Sequence, residues 1–319
     1  MFLLLLALLS LAAQAQNLLP ETTFRVPVEL VTAPTLVFSS DDRLVFGLDN
    51  RNFKVYDDGQ PQTTSLDLDA APVSVVFAVQ VGQNVRSYTR FISKVGSTLE
   101  ALLVGQTGEA AVIEYAEDIR VLKPFGSGDV QSALRHISPG GRQSHAVDAG
   151  MLAVAMLRER PVRRARVLVF IGQPQDGGSQ ADLAALLREA ERSNVTVFAL
   201  SLPQPGKDFA SQMLGLPGHA GSGSVDLLAR FIPMLRRTAA AAPTDLFSEL
   251  TTATGGTQIR FRQQRQLEDG ISLIGVELRS AYALSYAPAR MRPGYHTIRV
   301  EVALPGAKVY TRPGYWSSR

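Results

Sequence analysis

An uncharged run of mostly β-branched residues, VSVVFAV at positions 73–79, constrains the fold more than any other stretch of the chain. Pro72 precedes the run, and Gly82 follows it closely. A short apolar run without polar alternation is typical of a strand that is buried on both faces of a sheet. We therefore predict that residues 73–79 form a central strand.

The segment that follows this strand, QVGQN at positions 80–84, marks the predicted functional site. In open α/β sheets, ligands bind in the loops that leave the carboxyl ends of the strands. The segment contains no acid, histidine or cysteine. The sequence thus predicts the position of the site but not its ligand.

Strand and helix patterns alternate after residue 73. Two more apolar strands are predicted at 167–171 and 195–200, and amphipathic helices precede or follow them. Asp129 is expected to cap one short helix, and Ser179 another. This alternation predicts an α/β fold with a doubly wound, mostly parallel sheet.

Both ends of the chain have β patterns instead. Short strands are predicted at 24–31, 35–38, 44–46 and 53–56, and again at 281–286, 296–302 and 308–310. A few short strands cannot close a core alone, so we expect the two ends to form one β-sandwich. The predicted organisation is residues 22–70 and 280–316 as its two halves, with an α/β domain at 71–279 that contains an insertion at 203–243.

Composition excludes several classes of protein. A net charge of +3 without a dense basic segment argues against a nucleic-acid partner. The chain has no cysteine, which excludes disulfides and thiolate metal sites. The sequence does not indicate an oligomeric state.

The first 15 residues, MFLLLLALLSLAAQA, are too short to span a bilayer and end in a small-x-small pattern. We predict a signal peptide at 1–15, cleaved after Ala15, and hence a secreted, periplasmic or cell-envelope protein with no transmembrane segment after cleavage. An uncleaved membrane anchor is the alternative interpretation of this segment, because no Lys or Arg precedes the apolar stretch.

The order of several motifs resembles the bacterial von Willebrand factor type A-related proteins. These motifs cover roughly residues 22 to 316. The resemblance implies a von Willebrand factor A (Rossmann-like) domain combined with the sandwich. The motifs are GLDNRNFKVYDDG at 47–59, APVSVV at 71–76, TGG at 254–256 with LRSAYALSY at 278–286, and RPGY at 312–315.

Metal-binding members of that family hold a divalent cation with Asp-x-Ser-x-Ser after the first strand, a Thr, and a later Asp. In this chain the first motif aligns with Gln80, Gly82 and Asn84, the Thr falls near Ser144, and the last Asp falls near Gln173. Mg²⁺ is bound through carboxylates and water, and neutral amides supply too little charge. We expect no metal and no other cofactor.

Two acids, Asp176 and Asp148, lie close to the aligned positions. Asp176 could act as a replacement ligand, but a turn role in Asp-Gly-Gly is favoured. Asp148 lies in the first turn of a predicted helix, where a carboxylate is stabilised by the helix dipole. Both are kept as secondary candidates.

The sequence is compatible with three hypotheses about function. The favoured one is a non-catalytic adhesion-type interaction module whose rim, residues 80–84, 142–145 and 173–178, binds a protein or glycan. The alternatives are a metal-dependent adhesion protein with a weakened Mg²⁺ site, using Ser144, Asp176 and Asp148, or a structural part of an envelope assembly. An enzyme is not expected, because Ser144, His145 and Asp148 are too close in sequence to converge as a triad.

Overall fold

The computed structural model describes residues 30–67, 71–126, 128–138, 140–203, 245–289 and 292–317. The predicted signal peptide lies outside these residues. So do nearly all of the predicted strand at 24–31 and of the predicted insertion at 203–243. The domain boundaries stay a prediction.

The strands, in chain order, are β1 (Val31–Phe38), β2 (Phe53–Asp57), β3 (Gln60–Gln62), β4 (Thr64–Asp67), β5 (Val73–Gln80), β6 (Glu109–Tyr115), β7 (Ile119–Lys123), β8 (Ala165–Gly172), β9 (Val195–Ser201), β10 (Gln258–Arg260), β11 (Tyr282–Tyr286), β12 (Gly294–Val302), β13 (Lys308–Tyr310) and β14 (Gly314–Ser317). The α-helices are α1 (Arg86–Ile92), α2 (Gly96–Leu99), α3 (Val130–Arg135), α4 (Ala146–Arg158), α5 (Leu183–Arg192), α6 (Leu246–Thr254) and α7 (Gln264–Ser280). Two 3₁₀ turns, Asn50–Asn52 and Gln83–Val85, and a π-helical turn, Glu100–Val104, complete the described elements.

A six-stranded sheet has the order β10-β9-β8-β5-β6-β7. Its pairs are parallel except for the edge pair β6 and β7. Strand β5 has neighbours on both sides, so the predicted central strand is confirmed.

Alternate residues of β5 face two different cores. Val75, Phe77 and Val79 pack with α1, α2, α3 and α7, whereas Val76 and Ala78 pack with α4, α5 and α6. Helices therefore cover both faces of the sheet, and the doubly wound α/β class is confirmed. The same alternation directs Gln80, at the end of β5, to the face of Val76 and Ala78.

Strands from the two ends of the chain form two four-stranded sheets, β13-β1-β11-β4 and β14-β12-β2-β3. Each sheet combines strands from before and after the α/β unit. Their inner residues share one apolar core, which confirms the predicted sandwich. This core includes Val31, Ala33, Phe53, Val55, Leu284, Ile298 and Val300.

Two local predictions were wrong. Residues 44–46 form no strand: Leu44 makes one isolated bridge to Phe38, and the chain then turns at Gly47, whose φ is 79°. The helix after β8 is capped by Asp182, whose carboxylate accepts a hydrogen bond from the Ala185 N–H at 2.6 Å, and not by Ser179.

Strands β3, β4, β7 and β14 were not predicted. Each is three to five residues long and has little or no regular apolar alternation. Strand β3 follows β2 through Asp58 and Gly59, whose φ values of 47° and 77° form the turn of a β-hairpin.

Candidate functional site

The carboxyl ends of four parallel strands meet in one row. Tyr115 of β6 lies opposite Gln80 of β5, and Gly172 of β8 lies opposite Ser201 of β9. Because β5 and β8 are neighbours with Val79 opposite Ile171, these positions continue across the sheet. Residues in such a row project to the same face, so their side chains come together.

The amide of Gln80 lies in this row, and Gln173 follows Gly172 directly after the end of β8. Both side chains are buried, at 3% exposure each. The Gln80 Oε1 atom accepts a hydrogen bond from the Gln173 backbone N–H at 2.6 Å, and the Gln173 Nε2 atom donates to the Pro203 carbonyl at 3.0 Å. The two glutamines thus hold the end of β8 against β5 and fix the exit of β9.

Gly172 allows the Gln80 side chain to lie across the sheet. A Cβ atom at Gly172 would be 2.7 Å from the Gln80 Cβ, 2.7 Å from the Tyr115 Oη and 2.8 Å from the Gln80 Oε1. These distances are far shorter than van der Waals contacts, and the surrounding strands leave no room to move apart.

We expect Gly172→Ala to lower the free energy of unfolding by about 1–3 kcal/mol, the usual cost of overpacking a well-packed core. Urea denaturation of the variant and the wild type measures this. Gly177→Ala is a control for the general loss of glycine, because the atom nearest to a Cβ there, the Ser144 backbone N, is 3.9 Å away, which is an ordinary van der Waals contact. Unchanged stability of Gly172→Ala would contradict the close packing at Gln80.

Gly82 lies where the loop after β5 contacts the loop before α4. The Gln83 N–H donates to the Gly141 carbonyl at 3.0 Å, and the Gly140 N–H donates to the Val81 carbonyl at 2.6 Å. A Cβ at Gly82 would be 3.2 Å from the Gly141 oxygen, which explains glycine at this position. Asn84, in the 3₁₀ turn, is exposed.

Ser144 precedes α4, beneath the surface of the rim. The residue is buried at 8% exposure, and its Oγ atom has no hydrogen-bond partner in the described part of the chain. Its carbonyl accepts a hydrogen bond from the Gly177 N–H at 2.9 Å, which joins this segment to the loop after β8.

The carboxylate of Asp176 is used by the protein itself. Its Oδ1 atom accepts hydrogen bonds from the Val147 N–H at 3.0 Å and from the Ser179 hydroxyl at 2.6 Å. Its Oδ2 atom accepts from the Ser179 N–H at 3.3 Å. Asp176 therefore closes its own turn and satisfies a free N–H group in the first turn of α4.

Asp148 has a similar role on the other side of the same loop. Its two carboxylate oxygens accept hydrogen bonds from the Gln180 and Ala181 N–H groups, both at 2.9 Å. Both secondary candidates thus tie the loop after β8 to the N-terminus of α4.

Two buried hydroxyls complete the row and were not found from the sequence. Neither the Tyr115 Oη nor the Ser201 Oγ atom has a hydrogen-bond partner among the residues that the structure describes, and the two residues are 0% and 1% exposed. Burial raises the pKa of Tyr115, and nearby Asp176 raises it further, so the phenol remains a hydrogen-bond donor. The sequence signal was weak, because each residue is one polar position at the end of an apolar strand.

Comparison with known proteins found no matching family model and no matching curated protein. Among solved structures, the chain is similar to an aerotolerance-related membrane protein from Bacteroides fragilis carrying multiple mutations to serine, with 17% identity over 64% of this chain and 98% of that one and a TM-score of 0.39. It is also similar to a von Willebrand factor type A structure from Catenulispora acidiphila, with 9% identity over 92% of this chain and 76% of that one and a TM-score of 0.48.

A conserved hypothetical protein, BatB from Bacteroides thetaiotaomicron, is similar at 16% identity over 63% of this chain and 97% of that one, with a TM-score of 0.39. Structural similarity at these sequence identities and TM-scores says nothing about the function of this chain. The predicted von Willebrand factor A-type fold is confirmed by the strand order, the parallel pairing and the helices on both faces of the sheet.

The part of the chain that the structure describes contains no helix with the length and apolar character needed to cross a membrane.

Proposed function

We propose that this chain is an exported, non-catalytic interaction module of the von Willebrand factor A type that binds a protein through a metal-free rim. The observation that carries the proposal is the pair of buried amides, Gln80 and Gln173, at the positions where metal-binding members carry carboxylates. Their hydrogen bonds to backbone groups give both a structural role.

The state of the nearby acids supports the same conclusion. The oxygens of Asp176 and Asp148 already accept hydrogen bonds from N–H and hydroxyl groups. A cation would have to compete with these donors and would disrupt the N-terminus of α4. Mg²⁺ also binds mainly through carboxylates and water, and the two glutamines provide only neutral amides.

The exposed part of the rim suits a polar protein surface. Arg142, Gln143 and Gln175 are exposed, and two glycines follow Asp176 in the sequence. The amide and guanidinium groups donate hydrogen bonds without needing a metal ion. Buried hydroxyls without partners, such as that of Ser144, can be satisfied by ordered water or by a polar group of a ligand.

The geometry around Ser144 supports a non-catalytic role. Activation of a serine requires a base within hydrogen-bond reach. No described residue is hydrogen-bonded to the Ser144 hydroxyl, and the neighbouring His145 Nε2 atom lies 3.5 Å from the Gln143 Oε1 instead.

We expect Mg²⁺ to leave the melting temperature of the metal-stripped chain unchanged. A specific ion at a hundred times its Kd would contribute about 2.7 kcal/mol, which is several degrees. The Gln80→Asp, Gln173→Asp double variant is the comparison, because it places carboxylates at both glutamine positions. Its melting temperature is expected to depend on Mg²⁺. A stabilising shift in the wild type that Asp176→Asn abolishes would support the weakened magnesium site and overturn the metal-free rim.

Binding is tested with a matched pair of arginine variants. Arg142 lies at the rim, whereas Arg163 is exposed in the segment that enters β8, at the opposite end of the sheet. A partner cross-linked to the wild-type chain in the native envelope is first identified, and its Kd is then measured. Arg142→Ala is expected to weaken binding by about tenfold or more and Arg163→Ala to leave it unchanged. Equal effects would place the interface elsewhere, as would be expected of a structural assembly component.

A further inference from the structure

A second cluster of polar residues lies in the β-sandwich, on different strands from the rim. Asp57 ends β2, Asp58 begins the hairpin turn to β3, and His296 lies on β12. One ligand atom from each of these residues lies within 4.8 Å of the others. Asp57 and His296 are buried, at 6% and 4% exposure, and the side chain of Asp58 is 51% exposed.

The three inner atoms are spaced as ligands of one small cation would be. The His296 Nδ1 atom is 2.9 Å from the Asp58 Oδ2 and 3.6 Å from the Asp57 Oδ1. Ligands at about 2.0–2.1 Å from a tetrahedral Zn²⁺ ion are separated by roughly 3.3 Å. Only small side-chain movements are therefore needed to centre an ion among these atoms.

Each of these residues is also oriented through its other polar atom. The His296 Nε2 donates to the Arg292 carbonyl at 2.8 Å. The Tyr315 hydroxyl donates to the Asp57 Oδ2 at 2.8 Å, and the Thr297 N–H donates to the Asp58 Oδ1 at 2.8 Å. Outer hydrogen bonds of this kind fix the ring and carboxylates of metal sites. Among the inner atoms, the His296 Nδ1 donates a hydrogen bond to the Asp58 Oδ2, and an ion would replace this proton.

An unsatisfied buried group next to the cluster is an independent observation. Tyr286 is 1% exposed, and its hydroxyl lies beside the Asp57 carboxylate, although its Oη atom makes no hydrogen bond of normal geometry with any residue that the structure describes. A water bound to an ion in the cluster would supply a well-placed partner.

Charge also favours a divalent cation. Without an ion, a protonated His296 offsets one of the two carboxylate charges in this largely buried place, whereas a divalent ion bound to the neutral imidazole neutralises both. We propose that Asp57, Asp58 and His296 form a Zn²⁺ site with one open position on the solvent side of Asp58. The imidazole ligand favours Zn²⁺ over Mg²⁺ or Ca²⁺, which prefer oxygen.

The site would join the β2–β3 hairpin to β12 and so clip two neighbouring strands of the sandwich. The cluster contains no rim residue. Its failure would therefore leave the proposed interaction function untouched, and the reverse also holds.

The test uses the full chain, produced without a histidine tag and stripped of metal. Isothermal titration with Zn²⁺ is expected to show one site, and Co²⁺ is expected to give the visible absorption of a tetrahedral complex. The melting temperature should rise by several degrees with saturating Zn²⁺. Asp58→Asn, which keeps the acceptor for Thr297, is expected to weaken Zn²⁺ binding by tenfold or more, and His296→Gln to abolish the Co²⁺ spectrum.

Three controls make the outcome decisive. Asp41→Asn removes an exposed carboxylate from a different turn, His136→Gln removes an exposed histidine from the end of α3, and Gln80→Ala alters the rim. All three should bind Zn²⁺ as the wild type does. Absence of stoichiometric binding, or binding that survives both Asp58→Asn and His296→Gln, would overturn the site.

Discussion

Replacing Phe170 with alanine is expected to lower the free energy of unfolding by about 3–5 kcal/mol. Phe170 is 0% exposed, and it lies in β8, which is paired on both sides by β5 and β9. Its ring stacks on Phe247 at 4.9 Å and meets the edge of Tyr115 at 6.1 Å. Because hydrogen bonds hold β8 on both sides, the sheet cannot collapse into the cavity.

The measurement is urea denaturation followed by circular dichroism. Phe46→Ala is the matched control, since it removes the same ring at a position that is 66% exposed and should change stability by no more than about 0.5 kcal/mol. A loss below about 1 kcal/mol for Phe170→Ala would show that helix α6 does not seal this face of the sheet.

Replacing Glu277 with glutamine is expected to stabilise the protein at alkaline pH. Glu277 is 5% exposed in α7, and its Oε2 accepts a hydrogen bond from the Thr257 hydroxyl at 2.8 Å. Burial raises the pKa of this carboxyl from 4.5 to about 8, and the hydrogen bond from Thr257 opposes that shift only in part. An amide is neutral at every pH and keeps an acceptor for Thr257.

The direction in which stability changes with pH follows from the protons that the folded and unfolded chains bind. Between pH 4.5 and about 8 the folded chain keeps the proton of Glu277 and the unfolded chain loses it, so stability falls as the pH rises through this range. The two pKa values differ by roughly 3.5 (8 minus 4.5), which sets a ceiling of about 5 kcal/mol. Glu277→Gln should therefore exceed the wild type by on the order of 3 kcal/mol at pH 8.5 and match it near pH 4.5.

Denaturation at several pH values measures this difference. Burial also raises the pKa of Glu191, to about 7, although the nearby Arg312 lowers it. That group contributes equally to both proteins and cancels in the comparison. Glu159→Gln is the control, because its side chain is 76% exposed, and no pH-dependent gain is expected there. A constant difference between wild type and Glu277→Gln from pH 4.5 to 8.5 would contradict the raised pKa.

Much of the fold could be read from local patterns. The run at 73–79 predicted a central strand because apolar residues on both faces require cover from both sides, and β5 meets that condition. The β patterns at the two ends predicted a shared sandwich, because short strands need partners to bury their apolar faces. The short edge strands could not be predicted in this way, since β3 and β7 pair through backbone groups and are partly exposed.

The candidate site was predicted less completely. Gln80, Gly82, Ser144 and Gln173 do meet at the carboxyl ends of β5 and β8 and the start of α4. Tyr115 and Ser201 were missed, because their role depends on the register that aligns β6 and β9 with β5 and β8. The cap at Asp182 was also missed, since Ser179 fits the same local signal but bonds to Asp176 instead.

The sequence by itself determined the fold class and the central strand, because both depend on residue type and on spacing along the chain. The replacement of carboxylates by amides is what the family resemblance implies. Only the tertiary structure decided what those amides bind, which acids are already used, and that Asp57 and Asp58 lie next to His296, more than two hundred residues away in the sequence. Hydrogen bonds and metal sites require atoms within a few ångströms of each other. Such proximity between distant segments is created by strand pairing and packing.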